Sequence, residues 1–242
     1  MKTNIFNYSR LVILLLISFS SLTSAQEIST GVDLVSKYIW RGADAGSNAP
    51  SIQPSVKYTN GGLAFGLWGA TPIGSTAAAP TTEIDIYGGY TIGMANSSSL
   101  FLGFTDYTYP SSGIKYGNFN NYDNASGAGA HQIEINATYT GPESFPISVS
   151  ANMFAYDIKN NPVYVQLGYT TAVKSTSLSL FAGATTGDDS KYYGIDKFGF
   201  VNIGFTASKT VKVTDSFSFP VFSTVVLNPA TANMFYVIGI SL

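Results

Sequence analysis

The feature that most constrains this chain is an alternation of apolar and polar side chains with a period of two, recurring in segments of about ten residues. In EIDIYGGYTI, Ile84, Ile86, Tyr90 and Ile92 share one face, and Glu83, Asp85, Tyr87 and Thr91 share the other. HQIEINATY sets Ile133, Ile135, Ala137 and Tyr139 against Gln132, Glu134, Asn136 and Thr138. PVYVQLGYT does the same with Val163, Val165, Leu167 and Tyr169 against Tyr164, Gln166 and Thr170. Such a pattern belongs to strands whose two faces meet different surroundings, and helical spacing is hard to find anywhere in the chain.

Twelve such strands are predicted, at about 31–41, 51–59, 62–70, 83–92, 99–109, 131–140, 145–155, 162–172, 176–186, 198–208, 216–227 and 233–242. Most approach the roughly 9–11 residues that a tilted membrane strand needs. The connections after the second, fourth, sixth, eighth and tenth are short. Those after the first, third, fifth and ninth are long, whereas YDIKNN and NPATA, after the seventh and eleventh, are shorter than a strict alternation would make them. Short turns at one end and long loops at the other are the habit of outer-membrane barrels.

Composition sharpens the choice. Charged residues make up only 11% and aromatics 14%, with 16 Tyr and 16 Phe, against about 25% charged in an ordinary soluble domain. Cysteine is absent, so no disulfide framework is available. No apolar run outside the N-terminus approaches helix-spanning length. The predicted fold is therefore all-β: a transmembrane antiparallel up-and-down β-barrel of about 12 strands.

The N-terminus reads as an export signal. Lys2 and Arg10 precede the apolar run LVILLLISFSSL, and LTSA supplies small residues before Gln26, which predicts cleavage after Ala25. Residues 1–25 are then a signal peptide and 26–242 the barrel domain. The mature chain would carry 10 basic and 14 acidic side chains, a formal charge of −4, which gives nucleic-acid binding no support. In MFYVIGISL, Tyr236, Ile238, Ile240 and Leu242 alternate to the last residue, resembling the signal read by bacterial barrel-insertion machinery.

If the apolar faces meet lipid, charges belong on the opposite ones, because a charge at mid-bilayer costs about 2–4 kcal/mol in barrels. Asp33, Lys37, Arg41, Lys57, Glu83, Asp85 and Glu134 all sort to the inward side and are the candidate pore-lining residues. The candidate aromatic girdle comprises Tyr38, Trp40, Tyr58, Trp68, Tyr90, Tyr139, Tyr169 and Tyr236. Arg41 would stand at the lumen rim, where Glu83 is one potential partner. Asp106 shares a face with Leu100, Leu102 and Phe104 and so breaks the rule, unless a bulge or an interfacial position accommodates it. The inward charges suit either a water-filled pore with a transverse field or pairs that plug the lumen. The loop at 110–130 is the natural candidate for a constriction, although its Gly, Asn and Ser content equally suits a surface loop.

Catalytic chemistry is not expected. His131 is the single histidine, at a strand start with no serine partner marked nearby. Cofactor and transition-metal sites are not expected either, and the adjacent Asp188 and Asp189 lack the spaced ligands of a calcium loop.

VSKYIWRGADAG followed by PSIQPSVKYTNGGLAFGLWGA resembles the N-terminal signature of the TorF-type porins, the Gcw_chp group of bacterial outer-membrane proteins. Trp40-Arg41-Gly42, Pro50, Pro54, Asn60-Gly61-Gly62 and Trp68-Gly69 carry the likeness. EIDIYGGY, Asp106–Pro110 and the strand holding Glu134 extend it to about residue 140. The resemblance implies a barrel exported to the outer membrane of a Gram-negative bacterium, in contact with lipid and lipopolysaccharide and passing small polar solutes or ions. A closed barrel with a structural or surface-interaction role is the alternative.

Overall fold

The structure, a computed structural model, describes residues 26–77, 80–187 and 191–242. The expected signal peptide and Asp188–Asp189 lie outside the described residues. Alternation along the chain produces strands that pair with their sequence neighbours. They are β1 (Gln26–Val35), β2 (Ile39–Trp40), β3 (Ala43–Asp44), β4 (Ser51–Asn60) and β5 (Leu63–Pro72). Next come β6 (Glu83–Gly93), β7 (Ser99–Thr108), β8 (Gln132–Thr140), β9 (Ile147–Tyr156) and β10 (Val163–Val173). The last are β11 (Thr176–Thr185), β12 (Gly199–Lys212), β13 (Ser218–Asn228) and β14 (Asn233–Ser241).

All but β2 and β3 form one closed antiparallel barrel, in which each strand pairs with the next and β14 returns to β1. The barrel thus has 12 strands, the expected number and topology. Two strands depart from their predicted bounds by more than two residues: β12 runs on to Lys212 rather than ending near 208, and β1 begins at Gln26 rather than near 31. The first strand ends at Val35 rather than near residue 41, and the residues beyond it turn inward as the small β2–β3 hairpin.

Register fixes which side chains face in. Ser55, Trp68, Asp85 and Tyr107 are successive cross-strand partners, as are Thr105, Glu134 and Phe154. These positions and their i±2 neighbours line the interior. The outer face carries Leu67, Ile84, Leu102, Ile135, Leu167, Leu180 and Ile238, each at least 44% exposed. A band of large apolar side chains around a closed barrel is far beyond the scattered exposure of an ordinary surface.

Inside, small residues leave room for rings. A Cβ on Gly66 would meet the Tyr87 ring at 2.3 Å, and one on Gly239 would meet the Phe222 ring at 2.2 Å. Aromatic side chains from neighbouring strands therefore lie over these glycines, along the wall. Ladder irregularities at Ile133/Glu134 and Gly183/Ala184 sit toward the long-loop end, where a bulge re-aims side chains.

Candidate functional site

The interior at the long-loop end is organised by the inward hairpin. Arg41 (φ 46°) and Gly42 (φ 81°) both adopt left-handed conformations, the pairing that a two-residue type I′ turn requires. Ala45 N–H donates to the Tyr38 carbonyl at 3.0 Å. Asp44 Oδ1 accepts from the N–H groups of Gly46 (3.0 Å) and Asn48 (3.1 Å), which fixes the return of the chain. Gly42 is required for contact as well as for φ: a Cβ there would lie 1.8 Å from the Val201 carbonyl oxygen on β12. Asn228 Nδ2, on β13, donates to the Gly42 carbonyl at 3.0 Å.

Beside that glycine, Arg41 makes a two-pronged pair with Glu134 of β8, Nη1 to Oε1 at 2.5 Å and Nη2 to Oε2 at 2.8 Å. Nη1 also donates to the Tyr193 hydroxyl at 2.6 Å. The guanidinium carbon lies 4.4 Å from the Trp40 ring centroid and 4.5 Å from that of Tyr164. Glu134 is fully buried and accepts further from Tyr107 (3.0 Å) and Asn136 (2.8 Å). Burial works against the charge on Arg41, but the hydrogen bonds and field of Glu134 hold its pKa above the ordinary arginine value. Trp40 stacks on Tyr193 at 5.8 Å and meets Tyr107 edge-on at 5.9 Å, with Phe154 and Tyr192 beside it. The hairpin tip is thus embedded in an aromatic core inside the barrel.

The predicted site residues fall into three groups. Asp33, Lys57, Glu83, Asp85 and Glu134 occupy inward positions of their strands. Lys37 and Arg41 belong to the hairpin instead: Lys37 lies 3.9 Å from Asp44 at the lumen mouth, and Arg41 pairs with Glu134 rather than Glu83. Tyr58, Tyr90, Tyr139, Tyr169 and Tyr236 stand on the outer face.

Tyr38, Trp40 and Trp68 are not part of an outer girdle. Tyr38 is 8% exposed and donates to Glu83 Oε1 at 3.4 Å. Trp40 sits in the aromatic core, and Trp68 faces inward, 5.3 Å from the Tyr38 ring. For Tyr38 and Trp40 the cause is the early end of β1: Ser36 N–H still donates to the Ile238 carbonyl at 2.8 Å, and beyond it the alternation no longer decides which way they point. Trp68 follows the parity of β5, on the face opposite Phe65 and Leu67 and in register with inward Ser55 and Asp85.

Asp106 does face outward, opposite Ile86 and Ile133. The loop at 110–130 covers it from outside. His131 Nδ1 lies 2.7 Å from Asp106 Oδ2, and Nε2 lies 2.7 Å from the Tyr116 carbonyl. Phe119 stacks on the imidazole at 4.1 Å, and the Tyr156 hydroxyl donates to the Phe119 carbonyl. The loop therefore packs on the barrel wall, and the segment that narrows the interior is 39–44.

A family model described as a bacterial protein of unknown function, Gcw_chp, matches residues 20–221. The chain belongs to this family. No curated protein matches it.

In the Gcw_chp chain, cavities flank the hairpin on both sides. One of 190 Å³ is bordered by Lys37, Tyr38, Gln53 and Thr224, and another of 280 Å³ by Tyr38, Trp40, Asp44, Glu83 and Tyr109. Among the described residues no cluster of three or more His, Cys, Asp or Glu side chains is arranged to hold a metal ion. Sequence reasoning missed Phe154, Tyr164, Tyr193, Val201 and Asn228 as partners of the hairpin. The Trp-Arg-Gly triplet was the available signal, since an X-Gly pair between short apolar segments fits a hairpin turn.

Proposed function

We propose that this chain is an outer-membrane β-barrel that admits small polar solutes or ions through a lumen constricted at its long-loop end by the Trp40–Arg41–Gly42 hairpin. The observation that carries the reading is the sorting of side chains on a closed 12-strand barrel: large apolar residues cover the outside, while Asp33, Lys57, Glu83 and Asp85 face inward. A lipid-facing barrel needs that arrangement, and eight strands already fill an interior with side chains, so twelve leave space beyond it. Export to the outer membrane, contact with its lipid and lipopolysaccharide, and handling by barrel-insertion machinery are part of this proposal.

A second reading, a closed barrel with a structural or surface role, draws support from the full burial of Glu134 and Phe154 around the hairpin. Planar-bilayer recording separates the two. Small stepwise currents from the wild-type chain, enlarged when residues 39–44 are replaced by a short glycine-serine turn, support the channel. Silence of both proteins at high concentration supports the closed barrel.

A further inference from the structure

We infer that Glu83 and Asp85, walled by the rings of Tyr38, Trp40, Tyr109 and Trp68, form a lumenal binding site for small organic cations bearing an ammonium or guanidinium group. The inference rests on the channel reading and specifies which solutes the lumen favours.

Both carboxylates lie on the inward face of β6, Glu83 opposite Ala70 and Asp85 between Trp68 and Tyr107. They are 4% and 7% exposed. Asp85 Oδ1 receives no hydrogen bond from any donor group. The Glu83 and Asp85 carboxyl groups lie in hydrogen-bonding contact with each other, and two carboxyl groups so close need either a shared proton between them or a cationic donor beside them. Among the described residues no lysine or arginine pairs with either acid. The other lumenal charges do not serve them. Arg41 is taken by Glu134, Lys37 turns to Asp44 and Asn48, and Lys57 stands nearer the short-turn end, opposite Ser29 and Gly66.

The space beside them is suitable. Glu83 borders the 280 Å³ cavity together with Asp44, Tyr38, Trp40 and Tyr109. Asp85 stands behind this lining, in contact with Glu83 and opposite Trp68, and Trp68 packs behind Tyr38. Carboxylates backed by aromatic faces recognise organic cations, because the ring quadrupole attracts a weakly hydrated positive group. The same lumen already displays this chemistry: the Arg41 guanidinium is held by one carboxylate and by the rings of Trp40 and Tyr164. Asp44 borders the same cavity but is engaged by the Gly46 and Asn48 N–H groups, and among the described residues no three acids are arranged as a metal cage.

The chain's two tryptophans, Trp40 and Trp68, both flank this site, so their fluorescence reports occupancy without requiring a pore. Ethylguanidinium chloride titrated into the detergent-solubilised full chain should give a saturable emission change, with equal sodium chloride giving none. In Glu83→Gln/Asp85→Asn the dissociation constant should rise by at least about tenfold. These near-isosteric changes remove both carboxyl groups from one wall and leave the barrel able to fold; Asp85→Asn alone should give an intermediate effect. An equal response to sodium chloride, or an unchanged dissociation constant in the double variant, overturns the site. In bilayers, ethylguanidinium should block wild-type current. Conductance with neither block nor fluorescence response overturns the site and leaves the channel standing. Silent bilayers with saturable fluorescence retain the site and overturn the channel.

Discussion

A single methyl group at Gly42 should drive the hairpin out of the barrel. An L-residue at φ 81° costs about 1–2 kcal/mol. The new Cβ would also stand 1.8 Å from the Val201 carbonyl oxygen and 2.9 Å from its carbon, where an ordinary carbon–oxygen approach is about 3.3 Å. Both atoms belong to the backbone of a laddered strand, so no flexible side chain can yield. The tip must retreat by about 1.5 Å, given that contact distance. Such a shift stretches Arg41–Glu134 contacts of 2.5 and 2.8 Å past hydrogen-bonding range.

The Arg41–Glu134 pair is broken whether the tip shifts or leaves, and Glu134 stays buried in both cases. A shifted tip also keeps the strain, about 1–2 kcal/mol, and an unpaired buried Arg41, a further several kcal/mol. Undocking forfeits the burial of Trp40, about 2–3 kcal/mol, but returns Arg41 to water. Undocking therefore wins. In a Trp68→Phe background, Gly42→Ala should shift Trp40 emission to the red and raise bilayer conductance, with the far-ultraviolet dichroism of the barrel unchanged. Unshifted emission together with wild-type conductance would refute the reasoning.

Three further outcomes are expected. Arg41→Ala strands the buried Glu134 carboxylate and should cost about 3–5 kcal/mol in denaturant unfolding, whereas Arg41→Met/Glu134→Gln should recover much of the loss. His131→Phe keeps the stack on Phe119 but removes two hydrogen bonds of about 1 kcal/mol each. Limited proteolysis within 112–130 should then speed up while conductance stays the same, because that loop lies outside the barrel. Leu167→Arg on the exposed outer face should lower stability in lipid by about 2–4 kcal/mol, and Thr138→Arg on the inner face should lower it by less. Equal losses would contradict the assignment of the two faces.

The barrel was legible because a two-sided wall writes itself into every strand. Glu134 and Asp85 could be aimed inward from Ile133, Ile135, Ile84 and Ile86 alone. The hairpin was hidden by an accident of parity: Val32, Leu34, Tyr38 and Trp40 all occupy even positions, so the first strand seemed to continue through a bend at Ser36. Nothing local distinguishes a tryptophan bound for lipid from one bound for the lumen, and only partners such as Phe154 and Tyr193 decide it. Asp106 was recognised as an exception, but its acceptor role toward His131 depends on a loop fold that alternation does not describe.

The hairpin's anchors impose an order of events on assembly. Arg41 is separated from Glu134 by 93 residues and Gly42 from Asn228 by 186. The tip forms its local turn early in the chain, yet its seat is completed only when β8, β12 and β13 are in place. An unfinished barrel must therefore hold a charged arginine and a tryptophan without their partners. Seating the tip becomes a late event that registers whether the wall has been built as far as β13, the eleventh of its 12 strands.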